Sequence, residues 1–259
     1  MGHERIGFLP QTKKWRMIVD SLSRFGDGEI SVTQIANDTL NAIKTTYNKM
    51  PYDESLIKAL SFIATLSFSA KQANQVDFLN SNGYSVDANI SLFSLMASAQ
   101  NYISTEHGSL EINKLAKDST MQAIIDYQQK HDSNQLALFS EKSENVWGDT
   151  GNGAAFCEMA RTFFSSFTER QLKYYIERAA ASSIDNYETL KSFNQQLSEQ
   201  SKAIADHSFE ISKLTQSFAA GWFNKNATDS LPSEKQIEGF LRMSFGKLRE
   251  EFRREVDGQ

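Results

Sequence analysis

The amino-acid sequence predicts an all-α protein, a multi-helix bundle that ends in a long helical hairpin and a final amphipathic helix. Three observations carry that expectation. Proline is scarce: none lies between Pro51 and Pro232, where ordinary usage of about 5% would place roughly nine. Glycine falls mainly where the apolar periodicity breaks, at Gly26, Gly28, Gly83, Gly108 and the glycines of 148–153, as helix ends require. Leu190, Leu197, Ile204, Ile211 and Phe218 recur at seven-residue intervals, the mark of a helix that must bury a seam against another helix.

The first helix is expected over residues 12–25, after an extended Phe8-Leu9-Pro10 lead, with Trp15, Ile18, Val19 and Leu22 on one face. A second, over 31–50, carries Val32, Ile35, Ala36, Leu40, Ile43 and Tyr47 at helical spacing and stops at Pro51. Asp53 is placed to cap a third helix that runs through Leu56, Leu60, Ile63, Ala64 and Phe68 to about residue 79. Its many small residues suit close packing in the interior. Two more helices are expected over 89–104 and 109–130.

Residues 131–153 are polar and glycine-bearing, with a short apolar island at Leu136, Leu138 and Phe139, which marks the best boundary in the chain. On that reading residues 1–145 form an N-terminal helical bundle. Residues 146–259 supply an aromatic-rich helix, the heptad helix and a C-terminal helix, packed on the first part as one unit. The aromatic-rich helix, over 154–183, includes Phe156, Phe163, Phe164, Phe167, Tyr174 and Tyr175, a pattern typical of a core or an interface. The heptad helix is expected over 186–223. Ser233 caps the last helix with Gln236 in the reciprocal position, and Ile237, Leu241, Phe245, Leu248 and Phe252 share one face.

At 259 residues and 40% hydrophobic content, the chain can bury a core without disulfides or metal. Cys157 is the single cysteine, so no intramolecular disulfide forms, and the N-terminus lacks the profile of a secretory signal; a cytoplasmic protein is expected. The apolar runs at 59–70 and 154–167 are too short to cross a bilayer, so no membrane contact is expected. A net charge of −5 gives no general attraction to polyanions.

Catalytic signatures are weak. The four histidines, His3, His107, His131 and His207, are dispersed and match no ligand spacing, and no nucleophile elbow, kinase set or Cys-x-x-Cys occurs. No cofactor or metal is expected. The glycine-rich run 147–153 has no following Lys-Ser/Thr pair and no preceding strand, so it reads as a turn before a buried helix. Cys157 reads as a small buried thiol. Glu158 and Arg161, an i,i+3 pair among phenylalanines, must neutralise each other or line a polar cavity if that helix is buried; they are the candidate polar site.

Two surfaces remain. Lys13, Lys14, Trp15 and Arg16 are a candidate nucleic-acid contact, because the first 25 residues are locally basic. The competing reading has Trp15 anchored in the core while the lysines stay solvated. The heptad seam, Leu190, Phe193, Leu197, Gln200, Ile204, His207, Ile211, Leu214 and Phe218, is the candidate interaction surface. It is apolar at its ends and polar in the middle, which favours an internal helical hairpin over a homodimer. The expected function is a non-catalytic helical interaction or adaptor subunit of a multi-protein cytoplasmic assembly, with protein partners or a second copy of the chain. The alternative is a nucleic-acid-associated subunit of such an assembly, and the third reading an enzyme with an all-helical site near Glu158 and Arg161.

Overall fold

The structure, a computed structural model, describes residues 12–43, 46–105, 109–132, 146–211 and 218–257. Among the described residues there are ten α-helices and no strand, and 79% of those residues are helical, so the all-α expectation holds. The first helix, α1 (Lys13–Gly26), starts where the Thr12 side chain accepts a hydrogen bond from the Trp15 amide at 3.2 Å. Its predicted face is buried, with Trp15, Ile18 and Leu22 each at most 2% exposed. Gly28 adopts φ +76° in the turn that follows, a conformation that costs glycine nothing.

Helix α2 (Val32–Ile43) is shorter than its apolar pattern. The segment that was expected to continue it forms two 3-10 turns, Thr46–Asn48 and Met50–Tyr52. Pro51 sits in the first turn of the second of these, and a proline disfavours α-helix in the residue before it. Tyr47 and Met50 are nonetheless 2% exposed, so the periodicity registered burial correctly and conformation incorrectly.

Asp53 caps α3 (Glu54–Ser69), accepting from the Ser55 amide at 2.9 Å. This helix is buried around nearly its whole circumference and packs against much of the bundle. It ends ten residues earlier than expected. Asn74 caps a separate helix, α4 (Gln75–Ser81), by accepting from the Asp77 amide at 3.1 Å, and a cap of that kind requires extended backbone that a continuous helix lacks. Helices α5 (Leu92–Tyr102) and α6 (Leu110–His131) begin at Ser91 and Ser109, whose hydroxyls accept from Ser94 and Ile112. His107 and the island of Leu136, Leu138 and Phe139 lie outside the described residues.

Asn152 caps α7 (Gly153–Ala180), the central helix of the second half. Its rings Phe156, Phe163, Phe164 and Phe167 pack with one another and with Phe240 and Phe245. Helix α8 (Tyr187–Ile211) follows, and the residues expected to prolong it include a distinct short helix, α9 (Ala220–Asn226). In α9 Phe223 stacks on Phe156 with centroids 4.9 Å apart. Gly153 lies so close to this helix that a Cβ there would sit 2.6 Å from the Ala220 carbonyl oxygen. The last helix, α10 (Glu234–Asp257), has the predicted start: Gln236 Oε1 accepts from the Ser233 amide and hydroxyl, both at 2.8 Å. Ile237, Leu241, Phe245 and Leu248 are at most 1% exposed; the Phe252 side chain is outside the described residues.

Buried residues from α1 through α10 form one hydrophobic cluster, to which both sides of the 145/146 boundary contribute. Among the described residues no helix is long and apolar enough to cross a membrane.

Candidate functional site

Helix α7 is flanked by α6 on one side and α8 on the other. Its phenylalanines face the core, while Thr162, Ser165, Ser166, Glu169, Arg170, Lys173 and Glu177 recur at three- and four-residue steps and form a polar stripe. That stripe is the floor of a trough of about 790 Å³, walled by α6 and α8. Lys114, Asp118 and Asp126 project from the α6 wall, Lys202 and Asp206 from the α8 wall. With Arg161 and the charged residues of the floor, five cations face five anions.

The walls are tied to the floor by polar bonds. Arg170 Nε donates to Ser166 Oγ at 2.9 Å and its Nη2 to Gln122 Oε1 at 3.4 Å, with Nη1 4.0 Å from the Asp118 carboxylate. Asp118 also takes Lys114 at 2.8 Å, and Asp126 accepts from Gln122 at 2.6 Å. On the other wall Ser165 donates to Asp206 at 2.9 Å and Lys173 to Ser198 at 3.2 Å. Lys173 therefore turns to α8, not to Glu169 one turn away. The side chains of Glu169, Glu177 and Lys202 make no hydrogen bond or ion pair among the described residues. The two glutamates are half-buried on one helix face, about 12 Å apart at 1.5 Å rise per residue.

Glu158 and Arg161 divide between two environments. Glu158 reaches α6, where Lys130 Nζ approaches one carboxylate oxygen at 2.7 Å and His131 Nε2 the other at 3.0 Å. Burial pushes its carboxyl up, but the bonds and charges of Lys130 and His131 outweigh this and hold it below the ordinary glutamate value. His131 in turn stacks on Tyr127 at 4.3 Å. Arg161 lines the trough. Cys157 is 6% exposed, and burial, the largest influence, raises its thiol pKa, the opposite of what a nucleophile needs.

Of the basic segment, Lys13, Lys14 and Arg16 are exposed. Trp15 is 2% exposed and meets Tyr175 edge-on at 5.8 Å, so its ring is engaged in the core and presents no face to a nucleotide base. Along the heptad seam, Phe193 and Leu197 are fully buried and Ile204 is 9% exposed. Leu190 and Phe218 are partly buried against the core, and Gln200 is half-buried. The side chains of His207 and Ile211, and all of Leu214, lie outside the described residues. The described apolar part of the seam is thus covered from within the chain, by α7, α2 and α10.

The trough was not singled out from sequence, because its charges come from three helices far apart in the chain. The usable signal was the polar stripe on an otherwise aromatic α7. Among the described residues no three His, Cys, Asp or Glu side chains converge as a metal site would. Comparison of the chain with protein-family models, curated proteins and solved structures finds no match.

Proposed function

We propose that this protein is a non-catalytic helical adaptor subunit of a multi-protein cytoplasmic assembly, and that the α7 trough holds a segment of its partner. The observation that carries the reading is the pair Glu169 and Glu177, two half-buried carboxylates without a partner among the described residues, on the floor of an open trough whose other floor charges are mostly bonded in place. A half-buried carboxylate gains most from an opposite charge brought to it. The partner segment suited to them carries two Lys or Arg side chains about 12 Å apart, which is eight residues of helix or four of extended chain. Lys202 on the wall offers a contact for one acidic residue of the same segment. The seam of α8 serves a different role, as internal core. A buried cysteine outside any disulfide, Cys157, favours a reducing compartment.

A photo-crosslinking amino acid at Thr162, on the trough floor, tests the reading in cells that make the protein. The expected result is one defined protein adduct that disappears in Glu169→Lys/Glu177→Lys, with helicity and melting of the variant unchanged. Adducts that are the same from Thr162 and from the exposed Phe93, or that survive the reversal, refute it. The exposed trio Lys13, Lys14 and Arg16 favours a second reading, contact with a nucleic-acid backbone, through charge alone since Trp15 is buried.

A further inference from the structure

A second cavity, of about 360 Å³, opens where the 3-10 turn around Pro51, the start of α6 and the middle of α7 meet. Its size lies within the range of small-molecule sites. Met50, Ile112 and Leu115 supply an apolar wall, and Tyr175 and the 58%-exposed Tyr52 supply aromatic ones. Three oxygen-bearing groups converge on the same space: Asp53, Glu111 and Gln171.

Gln171 is the telling residue. It is 2% exposed, and among the described residues its Oε1 has no hydrogen-bond partner, while its Nε2 reaches the Met50 sulfur at 4.0 Å. A buried amide carbonyl left without a donor keeps the full cost of its desolvation, so this oxygen is arranged for a donor that enters the cavity. The two carboxylates set the charge of that donor. Glu111 accepts from Ser109 Oγ at 2.7 Å and Asp53 from the Ser55 amide at 2.9 Å, and an ionised carboxylate offers about four acceptor sites. Burial pushes the Asp53 carboxyl up despite the Ser55 and Leu56 bonds, a shift that a nearby cation would reverse. Two acids and one cation, the exposed Lys49, line the cavity. Tyrosine faces add attraction for a cation and none for an anion.

We propose that this cavity binds a small amphipathic organic ammonium ion, its N–H groups donating to Gln171 Oε1 and to the Asp53 and Glu111 carboxylates and its apolar body resting on Met50, Ile112 and Tyr175. The site stands apart from the docking trough, which it adjoins across Leu115 and Tyr174.

Calorimetric titration of the full chain with phenethylammonium, with its neutral isostere 2-phenylethanol and with the anion 3-phenylpropionate tests the assignment. The ammonium is expected to bind at least tenfold more tightly than either other probe. Gln171→Leu, which keeps the volume and removes the acceptor, is expected to weaken it roughly tenfold or more, in line with a lost hydrogen bond to a charged group. Glu111→Gln, at a half-buried position, is expected to weaken it several-fold and to decide the matter if Gln171→Leu does not fold. Equal affinity for the neutral and cationic probes, no binding of the ammonium, or affinity that survives the substitutions overturns the proposal. None of these outcomes depends on the trough, so Glu169→Lys/Glu177→Lys is expected to bind phenethylammonium as the unaltered chain does.

Discussion

Leu197 decides whether the heptad helix is core or interface. Its side chain is 0% exposed on α8, and a turn away Phe193 meets Phe25 of α1 edge-on at 4.9 Å. Leu197→Ala removes three carbons, about 2.4 kcal/mol at about 0.8 kcal/mol per buried methylene. The cavity left behind brings the expected loss to about 2–5 kcal/mol. In a chain of this size each kcal/mol lowers the melting temperature by about 2–4 °C, so a drop of roughly 5–15 °C is expected. Urea unfolding followed by far-UV circular dichroism, at low and high protein concentration, gives the free energy and its concentration dependence together. The unaltered protein should show one midpoint at both concentrations. A loss below about 1 kcal/mol, or a midpoint that climbs with concentration in the parent and not in the variant, would falsify the assignment of α8 to the internal core, because only an intermolecular seam is linked to mass action.

Other substitutions read other contacts. Gly153→Ala places a methyl 2.6 Å from the Ala220 carbonyl and is expected to cost about 1–3 kcal/mol through displacement of α9; a neutral result in thermal melts means α9 does not pack as described. The Glu158 carboxyl sits below its ordinary value, so the unfolded chain takes up the proton at higher pH than the folded one. Its stabilisation is therefore present above the ordinary glutamate range and lost as pH falls through the lowered folded value. With Glu158 27% exposed and Lys130 68% exposed, solvent screening limits it to about 0.5–1 kcal/mol. Glu158→Gln should be less stable than the parent by that amount at neutral pH, and the difference should vanish under strong acid; a gap that widens in acid contradicts the sign. Duplex DNA titrated at several salt concentrations should show a log–log slope no steeper than about 3, for three phosphate contacts from Lys13, Lys14 and Arg16. Lys13→Glu/Lys14→Glu should abolish it, and a steeper slope indifferent to the reversal means that another surface binds.

The relation of pattern to structure differs from element to element. Where a side chain caps its own helix, as at Thr12, Asp53 and Ser109, or reaches back to the residue before it, as Gln236 does to the Ser233 amide, the start was legible to within a residue, because the side chain and the amide it satisfies are neighbours in the chain. Helix ends were less so. The second helix was expected to reach residue 50 and the third residue 79, yet Tyr47, Met50 and Leu79 are buried outside those helices. Apolar spacing reports that a side chain faces the core, and a 3-10 turn or a fresh helix can satisfy that as well as a continuous one.

By itself the sequence determined the fold class, the caps and the apolar faces of α1 and α10, all of which follow from groups a few residues apart. It also held the polar stripe of α7, though not its meaning. Only the tertiary structure decided that Glu158 turns to Lys130 and His131, that Trp15 faces Tyr175, and that Asp53, Glu111 and Gln171 share one cavity. Those neighbours are separated by tens to more than a hundred residues, and what brings them together is the burial of α7 between α6 and α8, a packing choice that no local spacing encodes.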